Sequence, residues 1–386
     1  MAGRNFLFVP GPTNVPDRVQ RAMMVSMEDH RSIDFPQLTH EILDGLKSVF
    51  RTEAGSPLMF PSSGTGAWEA ALTNTLSPGD RVLTATFGQF SHLWTDMCRR
   101  LNLDVVNIDC DWGTGVPYLE FERILAADPT ISAVLVTHNE TTTGVTSSVA
   151  RVRQILDGLN HSALLFVDTV SSLACVEFDF DGWGVDVAVS GSQKGLMTPA
   201  GIGLLCVSDK ALVAAQTALL PCCYFDLNDM LKSNRTGYFP YTPPLTLMYG
   251  LREGIRMLQE EGLDNVVARH HRLAEGVRRA VTQGWGLELC AQEPEWYSDT
   301  VSAVMLPETV NGADVIGRAY KRYNLSLGAG LNKLAGRLFR IGHMGDMNEI
   351  HLMAAIAGAE MAMQDCGVNI KSGSGVAAAS DYWRAQ

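Results

Sequence analysis

The 386-residue sequence has little positive charge and no long apolar run. Thirty Lys and Arg residues stand against 42 Asp and Glu, which gives a formal net charge of −12. Such a chain repels phosphate backbones, and no concentrated basic patch offsets the repulsion, so we expect no nucleic-acid partner. Long uncharged stretches such as 195–208 and 211–225 are shorter than the roughly 18 residues of a membrane span and contain Pro or Gly. We therefore expect no membrane insertion.

Metal-binding and targeting patterns are also missing. The eight cysteines show no CxxC or zinc-finger spacing, and the adjacent pairs Cys222-Cys223 and His270-His271 have no third ligand at a recognisable distance. We expect no metal site and reduced thiols. The start of the sequence has only a four-residue apolar stretch before Pro10-Gly11-Pro12, and the end carries no peroxisomal tag. These features predict a cytoplasmic protein.

Apolar β-rich segments alternate with amphipathic segments along most of the chain, which predicts an α/β fold with a large, mostly parallel sheet. The predicted strands are 81–86, 105–109, 133–137, 163–168, 186–190 and 203–207, and the predicted helices between them are 65–76, 89–101, 118–127 and 147–159. Later segments predict a smaller C-terminal α+β domain. We divide the chain into an N-terminal arm (1–20), a large domain (21–255) and a small domain (256–386), with a loosely held tail after Cys366.

A turn of small residues offers a site for a phosphate group. Segment 60–69 reads FPSSGTGAWE, a strand end followed by Ser, Gly and Thr and then by a helix. Free main-chain N–H groups and the positive end of the helix dipole favour an anion there. The Lys of a Walker A loop and the full GxGxxG spacing are both absent. An ordinary capped helix would explain the same residues.

Two ionisable side chains follow buried strands. Asp168 ends the strand ALLFVD, and a carboxylate there needs a cationic or N–H partner unless it only caps the next turn. Lys194 lies 26 residues later in GSQKGL, whereas the other six lysines have charged or helical surface settings. A lysine among Gly, Ser and apolar residues is desolvated, which favours a neutral amine able to form a Schiff base. A surface lysine extending from a loop is the alternative.

A phosphate site, a strand-end acid and a strand-end lysine are three features that pyridoxal 5'-phosphate (PLP) requires. Phe87 follows a fourth strand and could stack on the pyridine ring, although a core aromatic is the other interpretation. A nicotinamide dehydrogenase would need an acid after the next strand, and segment 84–87 has none. A PLP lyase such as a cysteine desulfurase would need an exposed, activated cysteine, which the apolar surroundings of Cys175 and Cys206 do not suggest.

The sequence also resembles a known family. The segments VPGPTNVP, GTGAWEAALTNTLSPGDRV, FGQFSHLW, THNETTTGVTS, LLFVDTVSSL, GSQKGLMTPAGIGL and RIGHMG occur in the right order between about Arg4 and Met363. They are similar to the serine–glyoxylate aminotransferases, within the class V aminotransferases of PLP fold type I. The resemblance implies a homodimer, or a tetramer built from it. It also implies transfer of an amino group from a small L-amino acid, typically serine, to glyoxylate, which yields glycine and hydroxypyruvate.

The resemblance implies roles for individual residues. The implied cofactor contacts are Ser63, Gly64, Thr65, Gly66 and Gln193 at the phosphate, Thr242 of the partner subunit closing the same site, Phe87 stacking on the ring, Thr141 at the ring oxygen, Asp168 at the ring nitrogen, Val170 on the opposite ring face, and Lys194 as the Schiff-base and catalytic residue. Arg340 is implied to bind the substrate carboxylate, and Gly11 lies on the substrate side.

The donor amino acid is the least determined feature. Some relatives have a Tyr-Arg pair that reaches the neighbouring subunit's substrate, and His30-Arg31 stands at that position in this chain. Aspartate as a donor would need a second cation, for which His30 and Arg31 are the candidates, although Arg31 could equally form an ordinary ion pair. The motifs favour serine, with alanine or aspartate as the alternative donor.

Overall fold

The computed structural model describes residues 5–385, so residues 1–4 of the predicted arm and residue 386 lie outside the described part. The strands are β1 (Phe6–Phe8), β2 (Ser56–Ser62), β3 (Arg81–Thr86), β4 (Asp104–Asp109), β5 (Ile131–Thr137), β6 (Asn139–Glu140), β7 (Val145–Thr146), β8 (Leu164–Asp168), β9 (Val187–Gly191), β10 (Gly201–Val207), β11 (Val301–Met305), β12 (Leu325–Ala329) and β13 (Leu338–Gly342). Each strand predicted in the first 210 residues is present to within two residues.

The helices cover the faces of this framework. They are α1 (Asp17–Ala22), α2 (Phe35–Phe50), α3 (Gly64–Thr75), α4 (Gln89–Arg100), α5 (Tyr118–Ala127), α6 (Val149–Gly158), α7 (Asp209–Ala214), α8 (Leu227–Asn234), α9 (Leu245–Glu261), α10 (Leu263–Arg279), α11 (Gly312–Tyr323), α12 (Glu349–Asp365) and α13 (Ser374–Arg384). A π turn, Ala280–Gly284, extends α10. The long helical pattern after Leu245 is thus two helices, separated at Gly262, which has a left-handed φ of 84°.

The large sheet has the strand order β2-β10-β9-β8-β5-β3-β4. Strand β10 is antiparallel to both β2 and β9, and the other neighbours are parallel. Strand β8 reads LLFVD and is buried throughout, as expected for a strand with helices on both faces. The α/β architecture predicted from the sequence is therefore confirmed, and the carboxyl ends of β3, β5 and β8 meet at one edge, where open α/β sheets bind ligands.

A second, four-stranded sheet has the order β1-β12-β13-β11 and its own hydrophobic core. Its first strand comes from the start of the chain, because Phe6–Phe8 pair in parallel with Leu325–Leu327. The chain then runs from this sheet to the edge of the large sheet, where the Thr13 main-chain N–H donates to the Gln193 carbonyl at 3.1 Å. The domain limits 1–20, 21–255 and 256–386 remain a prediction.

The expectation of a loosely held tail is wrong for the last helix. Trp383 of α13 is only 6% exposed and its indole N–H donates to the Arg272 carbonyl at 3.0 Å. A Cβ added at Gly276 of α10 would lie 2.1–2.4 Å from the Trp383 ring. The absence of a side chain at Gly276 therefore allows α13 to dock on α10, a contact that the Gly, Ser and Ala residues of the tail do not reveal.

Replacing Gly276 by Ala is expected to destabilise the protein by about 1–3 kcal/mol, because the added methyl group must displace the Trp383 ring. Gly317→Ala is the matched control, since Gly317 also lies inside a helix and a Cβ added there would have no neighbouring atom within 4 Å among the described residues. That variant should be unchanged or stabilised by about 0.5–1 kcal/mol. Urea unfolding of both variants checks this, and equal effects would refute the docking role of Gly276.

Candidate active site

A pocket of about 300 Å³ opens at the edge where the parallel strands end. Its walls come from segments that are far apart in the sequence but follow neighbouring strands. The lining residues are Gly11, Pro12, Ser63, Gly64, Thr65, Trp68, Phe90, Asn139, Thr141, Asp168, Val170, Ser171, Gln193, Lys194 and Ala200. Most of the residues predicted from the sequence as cofactor contacts are thus brought together within one chain.

The small-residue turn forms one end of the pocket. Ser63 has an extended backbone and α3 begins at Gly64, so the N–H groups of the first helical turn have no acceptor within the helix. Gly64 lies so close to Val170 that an added Cβ would be 2.5 Å from its Cγ2 atom. Gly66, which the sequence also predicts to contact the phosphate, does not line the pocket and instead lies against Ser62 and Phe225. This end provides N–H donors and hydroxyls suited to a phosphate.

Gln193 closes the same end with an unsatisfied polar atom. Its Oε1 is buried and has no hydrogen-bond partner among residues 5–385. Buried polar atoms in native proteins are nearly always paired, so an unpaired amide on a pocket wall indicates a missing ligand. The Trp68 indole also lines the pocket, and its interaction with Asp168 opposes the rise in the pKa of that carboxyl group.

Asp168 is buried on the pocket wall at the end of β8. Its Oδ1 accepts a hydrogen bond of 2.8 Å from the Val170 N–H, so the turn-capping interpretation is also correct. Burial raises the pKa of Asp168 to about 7, against the opposing effect of that hydrogen bond. A cationic ring N–H in the pocket would stabilise its ionised form.

Lys194 reaches the pocket from the turn after β9. Its ammonium donates to the Pro10 carbonyl, and a Cβ added at Gly11 would lie 2.4 Å from Nζ. Gly11 has a φ of 102°, a conformation that glycine adopts without strain. Burial and then the positive charge of Arg340 lower the pKa of Lys194 to about 8. The amine is therefore neutral, and nucleophilic, at a much lower pH than that of an exposed lysine.

The two phenylalanines near this wall lie in different surroundings. Phe87 is 1% exposed, packs in the core of the large domain and is not among the residues that line the pocket. Phe90, one helical turn later in α4, lines the pocket. Phe87 follows the end of β3, but its side chain packs in the core. Phe90 lies in the first turn of α4, which places it at the pocket.

Thr141 and Arg340 join the pocket to the small sheet. Thr141 lines the pocket, and its main-chain carbonyl accepts a hydrogen bond of 2.9 Å from Arg340 Nη1. Arg340 Nε donates to the Ala329 carbonyl at 2.8 Å. Burial lowers the pKa of Arg340 to about 10, and the Glu140 carboxylate acts in the opposite direction. Arg340 thus lies behind Thr141 as a fixed, buried cation next to the pocket.

Two further predicted residues, Thr242 and Arg31, also lie outside the lining of this pocket. Thr242 is exposed, and Arg31 is exposed with its main-chain N–H donating to Asp29 Oδ1 at 2.9 Å. Both were implied to act on the neighbouring subunit, so their positions on the surface of one chain leave that role as a prediction.

Sequence reasoning missed several lining residues. Trp68 lies four residues after Gly64 in α3, so helical periodicity places both on one face. Ser171 follows Asp168 by three residues, and Asn139 follows the end of β5. The rule that ligands bind after the carboxyl ends of parallel strands could have indicated the last two. Nothing in the sequence pattern indicates Ala200.

The residues present fit PLP. Helix N–H groups and hydroxyls suit its phosphate, the side-chain NH₂ group of Gln193 can donate to the same phosphate, Asp168 suits its ring nitrogen, and the Lys194 amine suits its aldehyde. The α/β fold and this pocket define a PLP-dependent enzyme.

Comparisons with known proteins agree with this class. The family profile described as "Aminotransferase class-V" matches residues 5–332. The chain belongs to the class V aminotransferases, which makes it a transaminase that uses PLP, and its fold is PLP fold type I.

Individual relatives differ in their named donor. The chain is 58% identical to the serine–glyoxylate aminotransferase of Methylorubrum extorquens over 99% of this chain and 96% of that protein. It is 49% identical to the L-aspartate–glyoxylate aminotransferase of Paracoccus denitrificans over 100% of this chain and 97% of that protein. A crystal structure of an alanine–glyoxylate aminotransferase from Nostoc sp. matches with a TM-score of 0.88 and 32% identity, over 94% of this chain and 96% of that one.

The titration of Lys194 can be measured without substrate. We expect the rate at which a dilute acylating reagent labels Lys194 in the apoenzyme to rise through pH 8, because only the neutral amine reacts. Arg340→Met should move this midpoint upward, since it removes a repelling charge. Peptide mass spectrometry, with exposed Lys371 as the internal control, gives both profiles. A Lys194 midpoint near 10.4, the value of a free lysine, would refute the desolvated setting.

Proposed function

We propose that this transaminase moves the amino group of L-serine to glyoxylate, which yields hydroxypyruvate and glycine. The similarity to serine–glyoxylate aminotransferases over almost the whole chain supports this proposal. The structural observation that carries it is that, within residues 5–385, Arg340 is the one buried arginine next to the pocket. One cation suits the single carboxylate of serine, of alanine or of glyoxylate.

When bound, PLP supplies an aldehyde that takes up and passes on the amino group and a ring that accepts electrons from the donor's Cα. The first turn of α3 and Gln193 would hold its phosphate, Phe90 and Val170 would pack on the two ring faces, and Thr141 would meet the ring oxygen. Asp168 would keep the proton on the ring nitrogen. Phe90 replaces Phe87 in this assignment because only Phe90 lines the pocket.

The remaining steps belong to the side chains of this protein. Arg340 binds the carboxylate of the amino acid and so orients its Cα toward Lys194. The neutral Lys194 amine accepts the Cα proton, for which a pKa of about 8 is well matched near neutral pH. Pro12 and Gly11 cover the substrate side of the pocket. The same residues serve the oxo-acid half-reaction in reverse, so we expect ping-pong kinetics.

The desulfurase alternative finds no support at Cys175 or Cys206, the two cysteines considered for it. The Cys175 thiol is fully buried, and burial raises its pKa to about 12. In its ionised form this thiol would raise the pKa of Lys194. Burial also raises the pKa of Cys206. Neither thiol is suited to act as a thiolate nucleophile near neutral pH.

We also propose a homodimer with shared active sites. Thr242 and Arg31 are exposed, and the segment around Arg31 exposes large apolar side chains, with Met24 81%, Met27 81% and Ile33 88% accessible. Such a patch is typical of a protein interface. In this arrangement Thr242 of the partner subunit closes the phosphate site and Arg31 of the partner subunit approaches the substrate.

Finally, we propose that the enzyme works in the cytoplasm. All eight cysteines are unpaired, as is typical of a reducing compartment. The described residues contain no helix long and apolar enough to cross a membrane.

The donor preference follows from the number of cations at the pocket. With saturating glyoxylate, kcat/KM should be on the order of 10–100-fold higher for serine and alanine than for aspartate and glutamate, because a second carboxylate finds no fixed partner among the residues that the structure describes. Glyoxylate should likewise be a better acceptor than 2-oxoglutarate. Arg31→Ala, with exposed Arg21→Ala as the control, tests the alternative. A preference for aspartate that disappears only in Arg31→Ala would overturn the serine assignment.

Shared sites predict complementation between inactive chains. Lys194→Ala lacks the amine and Thr242→Arg blocks the partner's phosphate site, so each homodimer should be inactive. A mixed dimer retains one intact site, and random exchange should restore roughly a quarter of wild-type activity. Thr309→Arg, an exposed threonine of the small domain, should remain active alone. If subunit exchange is confirmed by mass and no activity returns, the shared site is refuted.

A further inference from the structure

One fully buried acid next to the pocket has no role in the steps above. Glu140 follows β5 in the short strand β6, and its side chain is 0% exposed. A buried carboxylate that is not paired with N–H donors or cations is strongly destabilising. The hydrogen-bond partners of Glu140 therefore indicate which segments its carboxylate stabilises.

The carboxylate of Glu140 joins two separate walls of the pocket. Its Oε2 accepts hydrogen bonds from the main-chain N–H groups of Phe90, at 3.0 Å, and Ser91, at 2.9 Å. The Ser91 hydroxyl is 3.2 Å from the same oxygen. Its Oε1 accepts from the Thr142 N–H at 3.0 Å. One side chain thus caps the first turn of α4 and fixes the segment that follows β6.

The space at Gly88 and the N–H donors around Glu140 suit a carboxylate at this position. A Cβ added at Gly88, the residue before α4, would lie 2.2 Å from Glu140 Cγ and Cδ. The glycine therefore allows the acid to pass beneath the start of the helix. All the main-chain groups that meet the two oxygens are N–H donors, and a carboxylate can only accept, whereas an amide would turn its own NH₂ group toward some of them.

Both segments held by Glu140 carry pocket residues. The first turn of α4 presents Phe90, the proposed stacking residue. The other segment contains Thr141, whose side chain lines the pocket and whose carbonyl holds Arg340. The Glu140 carboxylate therefore holds both the helix turn that presents Phe90 and the segment of Thr141, which supports Arg340.

We propose that Glu140 is a positioning residue of the transamination site: its buried carboxylate holds Phe90 against the cofactor ring and holds Thr141 in front of Arg340, which donates to the Thr141 carbonyl. This inference rests on the proposed function for the roles of Phe90 and Arg340. Glu140 does not touch the reacting atoms, and it acts by keeping two walls at a fixed separation.

Glu360 provides a matched control for burial. It is also buried, and its carboxylate accepts hydrogen bonds from the Trp285 indole at 2.9 Å and from the N–H groups of Gly373 and Gly375. It lies in the small-domain core, away from the pocket lining. Glu360→Gln thus disturbs an equally buried acid with a similar set of donors.

The test compares Glu140→Gln, Glu360→Gln and the wild-type enzyme by three measurements: the PLP dissociation constant of the apoenzyme, the circular dichroism of the bound cofactor, and KM for the amino donor. In Glu140→Gln we expect the PLP dissociation constant to rise about tenfold or more, from lost and mismatched charge-assisted hydrogen bonds. Its cofactor signal should weaken and its donor KM should rise. Glu360→Gln should lower Tm but leave all three values unchanged.

Glu140→Asp keeps the charge but is one methylene shorter and cannot serve both walls, so we expect an intermediate PLP affinity. This variant carries the test if Glu140→Gln does not fold. Wild-type cofactor affinity and donor KM in either Glu140 variant, or equal losses in Glu360→Gln, would overturn the proposal. Because PLP affinity is measured without substrate, failure of wild-type enzyme to use serine would refute the proposed function and leave this comparison valid.

Discussion

The burial of opposite charges around one small pocket is the constraint on which the rest of this structure depends. Asp168 and Glu140 are buried acids, and Lys194 and Arg340 are cations withdrawn from water. Desolvation alone disfavours the charged form of each of them. Attraction between opposite charges and main-chain hydrogen bonds offset part of this penalty, while burial raises the pKa of Asp168 and lowers the pKa values of Lys194 and Arg340. Those alterations give Lys194 an amine suited to proton transfer near neutral pH.

The strands β8 and β9, which lead to Asp168 and Lys194, were predictable because local composition determines them. Buried parallel strands such as β8 consist of apolar runs, and turns with Asp or Lys end them, so their ends were located to within two residues. The side chain that enters the pocket was not always predictable. Phe87 and Phe90 are the same residue type, but the Phe87 side chain packs in the core and Phe90 lines the pocket. Which of them lines the pocket depends on where α4 begins and on the Glu140 carboxylate that binds its first turn.

Long-range contacts explain the other differences between sequence and structure. The docking of α13 depends on a space at Gly276, more than a hundred residues earlier in the chain, and local composition carries no information about it. The role of Glu140 depends on N–H groups about fifty residues away. Lys194 and Asp168, in contrast, stood out because each is an ionisable residue in an apolar local setting. The domain limits and the contributions of a partner subunit remain predictions. Both depend on contacts between distant surfaces, which the local sequence pattern does not define.

The N-terminal segment has a consequence for the order in which the protein can be completed during synthesis. Strand β1 pairs with β12, at Leu325–Leu327, while Pro10 and Thr13 of the same segment contact Lys194 and Gln193. Strand β1 thus has no strand to pair with until more than 300 further residues have been added. The Pro10-Gly11 turn that faces the Lys194 amine is therefore among the last parts of the pocket to be fixed. A nascent chain that stops before β12 contains Lys194 and this turn, but it lacks the strand that holds the turn in place.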